Sequence, residues 1–145
     1  MYRFKLEALL NHRRHQEEDC QKELAKAHRR LSDERETLEQ KKGKKQAYLE
    51  KLQSIKKGHT TVTDIMLYME YIQQLSKDIE YQAMQVRNSV KLVDQKRHEL
   101  IAVMKKHKTL KKLRYKEMLA YQRKLMIDER KLTDELASIR HARKM

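Results

Sequence analysis

Leucine returns every seven residues along the first third of the chain. Leu10, Leu24, Leu31, Leu38 and Leu52 share one heptad position, interrupted by Glu17 and Lys45. An α-helix completes a turn in 3.6 residues, so a seven-residue repeat holds one stripe against a partner helix, the seam of a coiled coil. The companion set Leu6, Arg13, Cys20, Ala27, Glu34, Lys41, Tyr48 and Ile55 is more polar. A second stripe begins after residue 64, with Ile65, Ile72, Ile79, Val86, Val93 and Leu100. Two stripes and one break predict an all-α fold: an antiparallel two-helix coiled-coil hairpin with the second helix longer than the first. The expected pieces are a helix over 4–57, a turn over 58–63 and a helix over 64–142, forming one domain over 1–145.

The break has its own chemistry. Gly58 is expected to end the first helix in a left-handed C-terminal conformation, with Lys56 and Lys57 favouring the negative helix end. Thr60, Thr61 and Thr63 offer N-cap oxygens to the second helix, and Thr61-Val62-Thr63-Asp64 resembles a capping box with aspartate in place of glutamate. Folding the chain about residues 60–61 sets Leu31 opposite Val90 and Cys20 near Leu100. It also sets the acidic residues 17–19 near Lys105 and Lys106, and the basic residues 41–45 near Asp78 and Glu80. At 1.5 Å per residue the helices would measure about 80 and about 115 Å. Residues 118–145 should then overhang, with the apolar side chains Met118, Tyr121, Leu125, Leu132 and Ile139 unpaired. Such a stripe is a candidate binding face, and self-association or fraying are its plainer readings. Gly43, inside a lysine run, is a soft point costing about 1 kcal/mol against alanine.

Composition agrees with a long exposed helix pair. Of 145 residues 39% are charged and 39% apolar, with two glycines and no proline or tryptophan. The net charge of +14 is uneven. Residues 64–100 hold five basic and six acidic groups, whereas residues 101–145 hold fourteen and five. The excess implies an anionic partner: an acidic protein surface, anionic lipid or nucleic acid. Cys20 is the only cysteine and falls on the seam, where it packs as a small apolar group. No apolar run approaches the roughly 18 residues that span a bilayer, and the N-terminus lacks the apolar stretch of a signal peptide. The expected location is cytosolic or peripheral to a membrane.

No catalytic constellation is present: no glycine-rich phosphate loop, no HExxH, no nucleophile beside a plausible histidine. The reading is a non-enzyme without cofactor, metal or small-molecule substrate. His12 and His15 could share a metal, but two histidines alone are a weak signal against ordinary surface histidines. Glu17-Glu18-Asp19 reads as a charge partner for the second helix rather than an acid/base pair. The densest basic run places Lys105, Lys106, Lys108, Lys111, Lys112, Arg114 and Lys116 together. It could neutralise phosphates, but it lacks a platform of stacking aromatics, which argues against nucleic acid as the main partner. Tyr48, Tyr68, Tyr71 and Tyr81 cluster towards the hairpin tip, where tyrosine suits either a protein interface or packing of Tyr48 against Ile72.

The opening Tyr2-Arg3-Phe4-Lys5-Leu6-Glu7-Ala8-Leu9-Leu10, followed by Arg13 and Glu17-Glu18, is similar to the start of FliJ-family flagellar proteins. The close, Glu129-Arg130-Lys131-Leu132-Thr133-Asp134-Glu135-Leu136-Ala137-Ser138-Ile139-Arg140, resembles that family's charged ending. The resemblance implies a soluble component of the flagellar type III export apparatus, serving flagellum biogenesis and, through motility, chemotaxis. It implies a stalk that binds the hexameric export ATPase, promotes ring assembly, links the ring to the membrane export-gate protein and engages export chaperones. Its implied place is cytoplasmic, peripheral to the cell membrane at the flagellar base. The family pattern puts Arg3, Phe4, Leu6, Leu10, Arg13, Leu132, Asp134, Glu135, Ile139 and Arg140 at the ATPase ring. It puts Tyr48, Tyr71, Ile72 and Leu75 at the gate, with Asp78 and Gln82 departing from it. The stalk of a virulence-type injectisome shares the architecture and is the alternative. A basic nucleic-acid-binding coiled coil and a dimeric scaffold are the rivals from other classes.

Overall fold

Both long segments are rich in straight-chain residues of high helix propensity and contain no proline to interrupt them. A computed structural model describes residues 2–58 and 61–144, and folds them as two helices. Helix α1, Glu7–Lys56, has 50 residues, and helix α2, Val62–Lys144, has 83. The charges suit the helix dipoles, with Glu7 and Asp64 in the first turns and Lys56, Arg143 and Lys144 in the last. The fold is an antiparallel two-helix hairpin with the second helix longer.

The helix ends differ from expectation in two respects. Helix α1 begins at Glu7 rather than near Phe4. Residues 2–6 lie outside it, and the Glu7 amide donates to the Phe4 carbonyl at 3.2 Å. Phe4 is buried, so the leading segment folds inward instead of continuing the helix. At the other end Gly58 does not adopt a left-handed conformation: no described residue has positive φ. The last turn of α1 tightens instead, the Lys57 amide donating to Ser54 O at 3.3 Å and the Gly58 amide to Ile55 O at 3.1 Å. These i→i−3 bonds satisfy the final carbonyls in the way the left-handed cap would have done. The expected N-cap is present, as the Asp64 amide donates to Thr61 Oγ1 at 3.3 Å. Thr63, also proposed as a cap, lies inside α2, and Thr60 and residue 59 of the expected turn lie outside the described residues.

The helices contribute to two units, Cys20–Leu100 and Met1–Asp19 with Ile101–Met145. In the first, Tyr48 meets Tyr71, Glu34 meets Gln82, and Ala27 and Leu31 meet Val93, so the helices run antiparallel. Leu24, Val86, Val90 and Leu92 pack against that Ala27–Leu31–Val93 core. The expected Leu31–Val90 register is thus met within a turn. Buried and half-buried positions of α2 alternate three and four apart, through Tyr68, Ile72, Leu75, Ile79, Gln82, Val86, Ser89 and Val93. In the second unit Glu17 meets His107, Glu7 meets Arg114 and Tyr2 meets Tyr121, again antiparallel.

Candidate functional site

The chemistry of this chain lies in side chains left exposed or charged, since each helix buries a single stripe. In the Met1–Asp19 and Ile101–Met145 unit the seam carries a hydrogen-bonded glutamate–histidine pair. Glu17 and His107 both occupy heptad positions, and their side chains, 19% and 8% exposed, bond Oε2 to Nδ1. A glutamate on the seam needs such a partner, because a buried unpaired carboxylate is costly. One heptad on, Arg114 Nε lies 3.5 Å from Glu7 Oε2. The Tyr2 hydroxyl donates to the Arg114 carbonyl at 3.3 Å, and the Tyr2 ring lies 5.4 Å from that of Tyr121. Burial, with a contribution from Glu117, raises the pKa of the Tyr2 hydroxyl, so it stays a donor.

The acidic residues 17–19 do not pair with Lys105 and Lys106 as the charge match suggested. Glu17 takes His107 and Glu18 takes His15 on its own helix. Arg114 of the basic run pairs with Glu7 of α1, and the run stays open to solvent: Lys105, Lys106, Lys108, Lys111, Lys112, Arg114 and Lys116 are all exposed. Beside it, an open groove of about 320 Å³ is lined by Ile101, Met104, Lys105, Lys108 and Lys111, with Glu17 and His107. No group of three or more candidate metal ligands occurs among the described residues.

The residues assigned to a ring contact fall into two kinds. Phe4 and Leu10 are 6% and 5% exposed, so they are spent inside the helix pair. Arg13 is half-buried and donates to Gln16 Oε1 at 2.9 Å, leaving Arg3 and Leu6 as the outward members of that set. From residue 122 to 144 every side chain of α2 is exposed. Leu125, Leu132, Leu136 and Ile139 recur there at helical spacing, with Asp134, Glu135 and Arg140 among them. The covered stretch extends further than expected, since Met118 and Tyr121 are half-buried.

This outward stripe runs on from the seam. The positions that face α1 recur as Val93, Leu100, His107 and, after Arg114, Tyr121. Leu125 and Leu132 follow Tyr121 by four and eleven residues, about 40° and about 20° round the helix, and Ile139 follows by eighteen, about five whole turns. The stripe therefore lies on the side of α2 that faces α1 further back, and nothing within the described residues covers it.

In the Cys20–Leu100 unit, Tyr48 packs its ring 4.5 Å from Tyr71 and 6.1 Å from Tyr68, so its neighbours are aromatic rather than Ile72 alone. Lys44 Nζ sits 5.8 Å above the Tyr71 ring. A hydrogen bond to Tyr71 raises the Lys44 pKa, which keeps the ammonium charged. Of the four residues assigned to a gate, Tyr71 is outward, Tyr48 and Ile72 are half-buried, and Leu75 is buried beneath them. Lys41 to Lys45 make no ion pair with Asp78 or Glu80 among the described residues; Asp78 accepts from Gln74 at 3.3 Å. Gln82 is buried and donates to the Glu34 backbone carbonyl at 2.9 Å and to the Glu34 carboxylate.

Comparison with known proteins decides the family. The model for the flagellar FliJ protein matches residues 2–145. The chain belongs to the FliJ family. It is also similar to a solved structure described as a YscO homologue from Chlamydia trachomatis, with 19% identity and a TM-score of 0.71. That likeness covers 97% of this chain and 96% of the other. At such identity it concerns the fold, and it places the uneven two-helix hairpin of this FliJ-family chain among known architectures. No curated protein matches the sequence. No helix among the described residues is long and apolar enough to cross a membrane.

Proposed function

We propose that this chain is the stalk component of a bacterial flagellar type III protein export apparatus. It binds the hexameric export ATPase through its paired ends, promotes ring assembly and turnover, and links the ring to the membrane export gate and to export chaperones. Family membership over residues 2–145 supports the export role. The observation that carries the ring contact is the uncovered apolar stripe of Leu125, Leu132, Leu136 and Ile139, interleaved with both signs of charge. Such a helix lays its apolar face into a groove of a partner.

The mechanism is non-enzymatic. An asymmetric helix pair meets successive ring subunits differently, and contact that differs between their nucleotide states biases the cycle. Arg3 and Leu6 from the leading segment, with Leu132, Asp134, Glu135, Ile139 and Arg140, supply those contacts. Tyr71, supported by Tyr48, Ile72 and Leu75, faces the gate. The protein works at the cytoplasmic face of the membrane at the flagellar base.

The test is ATP turnover by the cognate export ATPase with and without this chain at physiological salt. Stimulation by the full chain, lost on deleting residues 122–145, supports the stalk; unchanged stimulation by the truncated chain refutes this assignment of the end. A second reading, the equivalent stalk of an injectisome, is favoured by the likeness to the YscO homologue. Stimulation of an injectisome ATPase in preference to a flagellar one would select it.

A further inference from the structure

The outer side of α2 just after the interhelical turn carries apolar side chains that the helix pair leaves uncovered. Val62, Met66, Leu67 and Met69 are 72%, 57%, 59% and 49% exposed. The seam positions Ile65 and Tyr68 between them are half-buried. At about 100° per residue, Val62, Met66 and Met69 share one azimuth and Leu67 stands roughly 100° away from Met66. A single stripe suits a partner's groove, whereas apolar groups spread around the outside of two turns suit a medium without one.

Cations collect at the same end. Residues 41–58 hold seven lysines and one glutamate, while residues 1–40 hold nine basic and nine acidic groups. The positive excess of α1 therefore lies wholly in its last turns. Lys51, Lys56 and Lys57 are exposed, on stems long enough to reach past apolar neighbours. Further back come the mutually tilted rings of Tyr48, Tyr68 and Tyr71, with Lys44 over Tyr71. Val62 and Tyr71 are nine residues apart, about 13 Å along the helix. Tyrosines and Lys44 lie about 10 Å behind this apolar end, while Lys56 and Lys57 stand level with it and reach headgroups by their long stems, an arrangement that suits a bilayer interface.

We propose that this end of the Cys20–Leu100 unit docks on an anionic lipid surface. Val62, Met66, Leu67 and Met69 enter the boundary between headgroups and acyl chains, and Lys51, Lys56 and Lys57 meet lipid phosphates. Asp64 and Glu70 stand among the apolar residues and limit the depth, since carboxylates are costly in hydrocarbon. The contact is peripheral. It rests on these side chains alone and holds whichever ring the other unit serves.

The chain has no tryptophan, so Leu67→Trp in the full chain gives a single reporter. Vesicles of phosphatidylglycerol in phosphatidylcholine should shift its emission to the blue, and lipids brominated along the acyl chain should quench it; phosphatidylcholine alone should do neither. In cosedimentation, the pair Met66→Ser with Met69→Ser should weaken binding about tenfold or more, and so should Lys56→Glu with Lys57→Glu. All four positions are exposed, so the helices should be retained by circular dichroism. Lys108→Glu with Lys111→Glu, in the other basic face, should change binding by less than about threefold. Three results overturn the proposal: no shift with anionic vesicles, binding that depends on Lys108 and Lys111 instead, or a shift produced only by the cytosolic domain of a membrane protein.

Discussion

The two units of this molecule solve the same seam problem with different chemistry. In Cys20–Leu100 the contact rests on Ala27, Leu31 and Val93, its buried polar residues Gln82 and Ser89 are neutral, and the half-buried Glu34 is satisfied by Gln82. In Met1–Asp19 with Ile101–Met145 the seam passes through Glu17 with His107 and Glu7 with Arg114, and beyond residue 121 it ends. Apolar contact stabilises without regard to direction. A polar pair on the seam contributes little net stability, but it penalises any register that separates the partners. The first unit is built to hold together; the second is built to hold one register while leaving side chains for another molecule.

Removing a core side chain should have the largest effect on this contrast. Leu31→Ala should cost roughly 3 kcal/mol in denaturant unfolding, a loss of apolar contact plus a cavity, with amide exchange accelerating over residues 20–100. A loss below about 1 kcal/mol would mean that the core is not where the stability lies. Next comes His107→Ala, which strands a largely buried Glu17. It should cost roughly 2 kcal/mol, and the double variant with Glu17→Ala should recover part of it. If the two losses simply add, the pair does not act as a unit.

Gly43→Ala should act in the opposite direction. The glycine is in the interior of α1, and an added Cβ meets nothing within 4 Å. A gain of about 1 kcal/mol should follow, read as a rise in melting temperature. Least affected should be Leu132→Ser, whose side chain is uncovered; its stability change should stay within about 0.5 kcal/mol while stimulation of the export ATPase falls. A large loss of stability there would mean that the stripe is already used within the protein or by a second copy.

Much of this architecture could be read from spacing alone. Heptads at Leu10 to Leu52 and Ile65 to Leu100 call for two paired helices, and the Thr61 cap was legible because the N-cap bond needs only a hydroxyl three residues before an amide donor. The end of α1 was misread at Gly58 because glycine permits a left-handed cap without requiring one. Charge matching between residues 17–19 and the basic run placed Glu17 within a turn of its position but missed its partner, His107. Long lysine side chains reach water from almost any register, so net charge constrains pairing weakly.

The seam partners of Glu17 and Glu34 were within reach of the pattern. His107 and Gln82 lie on heptad positions of α2, but a histidine and a glutamine there look like interruptions until a partner is placed opposite. The stripe at residues 125–139 was legible as apolar spacing. The residue at which it becomes uncovered was not, because that depends on where the α1 contact ends.

By itself, the sequence determined the helices, their antiparallel pairing and their unequal length, because a seven-residue apolar period has few other ways to be buried. Only the tertiary structure decided which seam polar groups are satisfied, which of Phe4, Leu10, Leu75 and Tyr71 remain available to a partner, and where the seam gives way to open helix. Those outcomes depend on the relative register and rotation of two helices, and periodicity along one chain specifies neither beyond about a turn.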